Sequence, residues 1–362
     1  MQRLSSFLLL FCFFLFACIS GSPQPPSETK FYVYRFDPPA FVEFSADFQL
    51  SNEIPFTVPP HCWLVNVLPS PIGQLLLIEL SCPNGQTVLF LNTSTSLSAG
   101  TETASVTQPV TDSDSHFLAW TEHGRSVALR VDSLGDPRII RLNVDTLQTE
   151  VIPIPGLTYD LAAQPYTYQF SFTTSGGLGH GSEMFLAKHD GQIVQSLYAD
   201  PSNYLSFATW SPKETQIAFI KIPDNQTPFT VGELWVMGED GSNPRKLADA
   251  DAGHGYAANW SPDGKRIAFV ARENPEDQGA DQSSEALISN VYIVDVKSGA
   301  LTPVTHLEEG RVETPFWSPD GNTLAFHAVI NDRMEVRIAD LATGEIRTLI
   351  TESTCCPAWL RK

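Results

Sequence analysis

The sequence predicts an all-β chain folded as a seven-bladed β-propeller, on three observations. First, Trp260-Ser-Pro-Asp-Gly-Lys-Arg-Ile-Ala-Phe-Val270 returns as Trp317-Ser-Pro-Asp-Gly-Asn-Thr-Leu-Ala-Phe-His327 and, worn, as Trp210-Ser-Pro-Lys-Glu-Thr-Gln-Ile-Ala-Phe-Ile220. An apolar run ending in Trp, a Pro-Asp-Gly turn and a second run read as a β-hairpin, and close copies mean a repeat array. Second, the Trp position recurs along the chain as Pro69, Trp120, Ala163, Trp210, Trp260, Trp317 and Trp359, at intervals of 42 to 57 residues. Third, the composition is rich in turn formers and aromatics (27 Pro, 22 Phe) and only 17% charged, which suits packed strands rather than disorder.

Each unit continues alike. A variable loop follows the second strand, then a third strand such as Leu234–Met237 or Val291–Val294. A glycine turn comes next (Asp240-Gly241, Ser298-Gly299, Thr343-Gly344), then a short fourth strand. Four antiparallel strands in roughly 40–50 residues make one propeller blade. The copy at Trp120 keeps Gly124 in its turn, that at Pro69 reads Ser70-Pro-Ile-Gly, and that at Ala163 is the weakest.

The last unit reaches Trp359-Leu360 as a lone strand, which would leave an open edge. The N-terminal part holds the missing partners. Phe31–Phe36 alternates like a second strand, and Ala46-Asp47 to Glu53-Ile54 parallels Ala339-Asp340 to Glu345-Ile346. The expected closing blade takes its first strand from 355–360 and the others from 31–36, 41–48 and about 54–58.

The Trp-Ser-Pro-Asp-Gly unit resembles the repeat of TolB-type (PD40) β-propellers, also found in the propellers of prolyl-oligopeptidase-like and tricorn-like proteins. The resemblance is strong over 205–362. It implies a propeller without the N-terminal domain of TolB and without the prolyl-oligopeptidase hydrolase domain. TolB has six blades, so an irregular Ala163 unit would reduce the count to six.

Residues 1–18 read as a signal peptide: Arg3, then an apolar run from Phe7 to Phe16 too short for a normal membrane span. Leu15-Phe16-Ala17-Cys18 resembles a bacterial lipobox, which makes Cys18 the expected lipidation site. An ordinary cleaved signal ending near Gly21 or Ser22 is the alternative. Residues 19–29 are a Ser/Pro-rich tether and 30–362 the single propeller domain. These features imply an exported lipoprotein, monomeric, facing the periplasm or cell exterior and touching the membrane only through its anchor. With 41 acidic against 22 basic residues the net charge is −19, which disfavours nucleic acid as a partner.

Cys62 and Cys82 are symmetric about residue 72 in the first hairpin turn, a placement that sets them facing each other within disulfide reach; two unrelated buried thiols are the alternative, and an exported compartment favours the bond. Cys355 and Cys356 are adjacent. A vicinal disulfide, two free thiols, or metal or cross-bridging all remain open for them.

No nucleophile elbow, His-Glu-x-x-His or phosphate loop occurs, so no catalytic residues, metal or cofactor are assigned. The loops entering first strands and those joining second to third strands share one face of a propeller. Six or four residues before the Trp position stand His116, Tyr204, His254, Tyr256, Arg311 and Glu313, a candidate binding rim. The bland reading is a solvated rim of loop residues. Gly-His-Gly at 179–181 and 253–255 falls on the same face, and the acidic loop 273–285 is either solvated or a cation or partner contact. The expected function is a binding or scaffold module for an envelope protein or peptidoglycan-associated partner. The alternative is a small-ligand receptor or enzyme using the rim, with Arg311 as anion anchor and His254 as acid/base.

Overall fold

The computed structural model describes residues 29–72, 75–93, 114–133, 136–213, 215–224, 227, 229–252, 257–350 and 353–361. The signal, Cys18 and most of the tether lie outside them, as do His254 and Tyr256.

The described strands form seven antiparallel sheets, each a blade. Blade 1 is Trp63–Pro69, Leu75–Cys82 and Gly85–Asn92, three strands among the described residues. Blade 2 begins at Asp114–Thr121, blade 3 at Thr158–Ala163, blade 4 at Asn203–Trp210, blade 5 at Asn259–Trp260 and blade 6 at Arg311–Trp317. All seven positions found by spacing end or closely follow the core of a first strand, including Pro69 and Ala163, which carry no Trp. The count is seven.

Blade 7 is sewn from both ends of the chain, in the order Thr354–Arg361, Thr29–Phe36, Pro39–Phe44, Leu50–Pro55. Thr29 pairs with Arg361, Phe31 with Trp359 and Arg35 with Thr354. The expected third and fourth strands shift. The third stops at Phe44 because Ser45 closes a turn, its hydroxyl donating to Asp47 (2.5 Å) and its N–H to Gln49 O (2.9 Å). The fourth therefore starts at Leu50 rather than Ile54.

The repeat's turn is built from its own side chains. Ser261 Oγ donates to Asp263 (2.5 Å) and accepts from Arg266 N (3.0 Å), and Ser318, Asp320 and Thr323 repeat the pattern. Gly264 has φ +73°, and a Cβ there would meet Ser211 Oγ of the preceding blade at 2.8 Å. Glycine serves both the left-handed turn and the close approach.

Seven apolar clusters fill the seven seams, one between each neighbouring pair of blades, the blade 7–blade 1 seam included. Successive side chains of a strand point to opposite faces. Thus Ile217 and Phe219 enter the blade 3–4 seam while Ala218 and Ile220 enter the blade 4–5 seam. Burial on both faces is why the second strands read as unbroken apolar runs.

Cys62 and Cys82 are joined, Cα atoms 4.2 Å apart. Trp63 faces Ser81 and Leu64 faces Leu80, the register of the symmetry argument. A slip at Val65 then moves the turn-proximal half by one residue. The bond spans 20 residues. Replacing both cysteines by serine is expected to cost about 3 kcal/mol on the chain-entropy account, read as a lower urea midpoint with a somewhat steeper slope, because the unfolded chain without the bond exposes more surface.

Candidate functional site at the inner strands

First strands of successive blades touch around much of the ring, so they line its centre. Register slips interrupt the pairing of the first strands of blades 1, 2, 3, 4, 6 and 7. In blades 4, 6 and 7 the residue three before the Trp is left-handed: Phe207 (φ 57°), Thr314 (φ 41°) and Cys356 (φ 61°). A bulge takes backbone groups out of the ladder and turns them aside.

Side chains of neighbouring blades meet these groups. Asp160, half-buried on the first strand of blade 3, accepts from Ala208 N of blade 4 at 2.8 Å. Burial pushes its carboxyl up to about 6, against the pull of the backbone N–H groups of Ala208, Leu161 and Phe207. Glu79 of blade 1 accepts from Phe117 N of blade 2 (3.2 Å) and from Asn66 Nδ2 (2.8 Å).

The described rim residues, His116, Tyr204, Arg311 and Glu313, fall in the first halves of first strands. On blade 2, His116 lies 3.5 Å from Asp114, which also accepts from Gln86 N (2.5 Å). On blade 4, the Tyr204 ring meets Tyr159 edge-on at 6.2 Å. Tyr159 donates to Leu205 O (2.8 Å), and burial pushes its hydroxyl up to about 12. On blade 6, Arg311 Nε and Glu313 Oε1 are 3.0 Å apart, and Arg311 Nη1 donates to Ser284 O (3.3 Å). The structure therefore joins Arg311 to Glu313 and sets His116 and Tyr204 on separate blades. His180 is exposed, and among the described residues no three His, Cys, Asp or Glu side chains are placed to hold a metal ion.

Two participants escaped the sequence reading. His327 Nδ1 lies 3.0 Å from Glu313 Oε2, and its Nε2 lies 3.2 Å from Thr354 O, so the Arg311–Glu313 pair extends to the first strand of blade 7. The signal was present: the other copies have Val270 and Ile220 where this one has His327. Asp160 was hidden in the least regular copy. Beside Thr354, Cys355 and Cys356 are bonded to each other, Cα atoms 3.7 Å apart, with Cys356 at the bulge. The acidic loop is tied inward. Arg272, its side chain fully buried, pairs with Asp281 (2.9 Å) and donates to Asn274 O and Asp277 O.

No protein-family model matches the chain. A stretch of 106 residues is 36% identical to the uncharacterized peptidase YuxL of Bacillus subtilis, covering 28% of this chain and 15% of that one. The chain thus spans under a sixth of that relative's length. Among solved structures, oligogalacturonate lyase from Vibrio parahaemolyticus aligns with a TM-score of 0.55 at 13% identity, over 90% of this chain and 86% of that one. TolB from Acinetobacter baumannii aligns with a TM-score of 0.50 at 17% identity, over 93% and 80%. The structural neighbours are TolB and other PD40-type propellers, and at these identities the likeness is one of fold.

Proposed function

We propose that the chain is an exported, lipid-anchored β-propeller that binds an envelope protein or peptidoglycan-associated partner through its rim, without a cofactor. The observation that carries this reading is the rim itself. Arg311, Glu313, His116 and Tyr204 stand near the starts of inner strands, and side chains of the preceding blades hold the inner-strand backbones of blades 2 and 4 across the seams. A rigid ring presenting varied polar groups suits partner recognition. The Cys62–Cys82 bond supports an oxidising compartment, and the sequence of residues 1–18 supports an anchor at Cys18. TolB-type neighbours are consistent with a scaffold role.

Crosslinking followed by pull-down from membranes tests the reading. A partner is expected with the natural chain and its recovery is expected to fall at least tenfold when Arg311 and His116 are both changed to Ala. Recovery of nothing above background, or equal recovery by the variant, sinks it. Cys18→Ser is expected to abolish a lipid mass on the N-terminal peptide; an unlipidated natural N-terminus near Ser22 refutes the anchor.

The Arg311–Glu313–His327 network favours a second reading, a small-ligand or enzyme site with Arg311 holding an anion. Metabolite-induced thermal shifts lost in Arg311→Ala support it; shifts unchanged in Arg311→Ala and His254→Ala exclude it.

A further inference from the structure

The repeat supplies its own controls for what a closed seam looks like. In three consecutive seams the Trp at the end of a first strand donates its indole N–H to the preceding blade: Trp210 to Ala162 O (3.1 Å), Trp260 to Thr209 O (3.1 Å) and Trp317 to Asn259 O (3.0 Å). In the blade 5–6 seam, Arg266 also lays its guanidinium 4.7 Å over the Trp317 ring. The next seam departs from this. Six residues after the Trp, where blade 5 has Arg266, blade 6 has Thr323, too short to cover anything. Among the described residues the Trp359 indole N–H finds no hydrogen-bond partner, as is also true of Trp120. A cleft of about 770 Å³ opens there, with Trp359 and Thr323 both in its wall.

The cleft lies on the face of the 1–2 and 3–4 turns, opposite the rim, so it is independent of the reading above. One wall is the Ser-Pro-Asp turn of blade 6 (Ser318, Asp320) and another is Phe48. Phe48 meets Trp359 edge-on at 5.5 Å, making an apolar corner. It sits at φ 59°, a backbone conformation costly for a bulky side chain, and Arg347 backs its ring at 5.4 Å. Deeper in, Glu43, only 2% exposed, is 2.6 Å from Lys30 Nζ and accepts from Ser51 Oγ (2.8 Å) and Tyr32 Oη.

These walls select a ligand by exclusion. Asp320 repels an anion, as does the chain's charge of −19. A cation finds the Glu43 charge already neutralised by Lys30, while carboxylate oxygens keep lone pairs for a further hydroxyl donor. What remains favourable is a neutral molecule with an apolar face for the aromatic corner and many hydroxyls, which can donate to carboxylates and accept from hydroxyls and an ammonium. We propose that the blade 6–7 seam is a binding site for a neutral oligosaccharide of a few sugar units, stacked in the Trp359–Phe48 corner.

The test is isothermal titration and tryptophan fluorescence of the full chain with maltotriose, cellotriose and chitobiose. Saturable 1:1 binding of at least one is expected. Thr323→Arg, which gives blade 6 the residue blade 5 uses to cover its Trp, is expected to weaken it at least tenfold. Phe48→Ala should do the same, and a melting temperature unchanged in Thr323→Arg shows that this loss is not unfolding. No saturable binding of any of the three sugars overturns the proposal. So does binding that Thr323→Arg leaves unchanged, or binding of a lysine-rich peptide in preference to the sugars. Because Thr323 is remote from the rim, partner capture should survive this variant, which separates failure here from failure of the proposed function.

Discussion

A chain lacking residues 354–362 is expected to lose its cooperative, monomeric fold. The deletion removes the innermost strand of blade 7 and its pairing with Thr29–Phe36. It also removes Cys355, Ala358 and Leu360 from the core of the blade 7–1 seam and Trp359 from the blade 6–7 seam. Each large apolar side chain lost from a core costs on the order of 2–5 kcal/mol. Together these losses rival the 5–15 kcal/mol by which domains are generally stable. The exposed edge would be Phe31-Tyr-Val-Tyr34, four residues buried in the intact ring and strongly strand-forming, a ready template for association. Size-exclusion chromatography and thermal melting decide the matter: a monomer with an unchanged melting temperature would contradict the closure. A rescue arm excludes mere truncation damage. Thr29 lies opposite Arg361, so a short turn can join them. A circular permutant so joined and opened between blades 3 and 4 at Pro201-Ser202 is expected to fold.

The fold was legible because its signals are local and repeated. Ser261, Asp263 and Gly264 make a turn whose hydrogen bonds depend on those residue types, and Ser318, Asp320 and Gly321 repeat them. Blade 1 and blade 3 lack the Trp but keep the spacing, because each must still supply a whole blade's worth of strands between its neighbours. The channel wall was less legible. The left-handed position is filled by Phe207, Thr314 and Cys356, three unrelated residues and no glycine, so no residue type announces it. It is imposed by the ring, where an inner strand must bulge to stay paired with its blade while touching its neighbours, a tertiary demand that local preference does not encode. The rim was half legible. Arg311 and Glu313 stand two apart on one strand and so share a face, which spacing reveals. His327 joins them across the hairpin, opposite Glu313, which only the register reveals.

The ionisation of Asp160 should leave a signature on the stability of the whole ring. Burial on the first strand of blade 3 raises its carboxyl from an ordinary 3.8 to about 6, although backbone N–H groups of the neighbouring bulge, Ala208 N at 2.8 Å among them, favour the charge. A carboxyl whose folded value lies above its unfolded value keeps its proton in the native state longer than in the unfolded one. Its stabilising contribution is therefore complete below pH 4, falls as pH rises from about 4 to 6, and is absent above that range. At 1.36 kcal/mol per pH unit the full loss is about 3 kcal/mol, of which about 2 kcal/mol falls between pH 4.5 and pH 7. Glu43 and Asp200 act in the opposite sense. Burial pushes both up, but hydrogen bonds from Lys30, Tyr32 and Ser51 to Glu43, and from Lys221, Ser202 and Asn203 to Asp200, hold them below the usual carboxylate range. The wild-type profile is thus a composite, and the difference from Asp160→Asn isolates the one group. The asparagine oxygen can still accept from Ala208 N but cannot ionise. The urea-derived stability of Asp160→Asn relative to wild type is expected to rise by about 2 kcal/mol from pH 4.5 to pH 7. A difference that stays flat over that interval would mean that Asp160 is ionised throughout, its charge fully compensated by the bulge it faces.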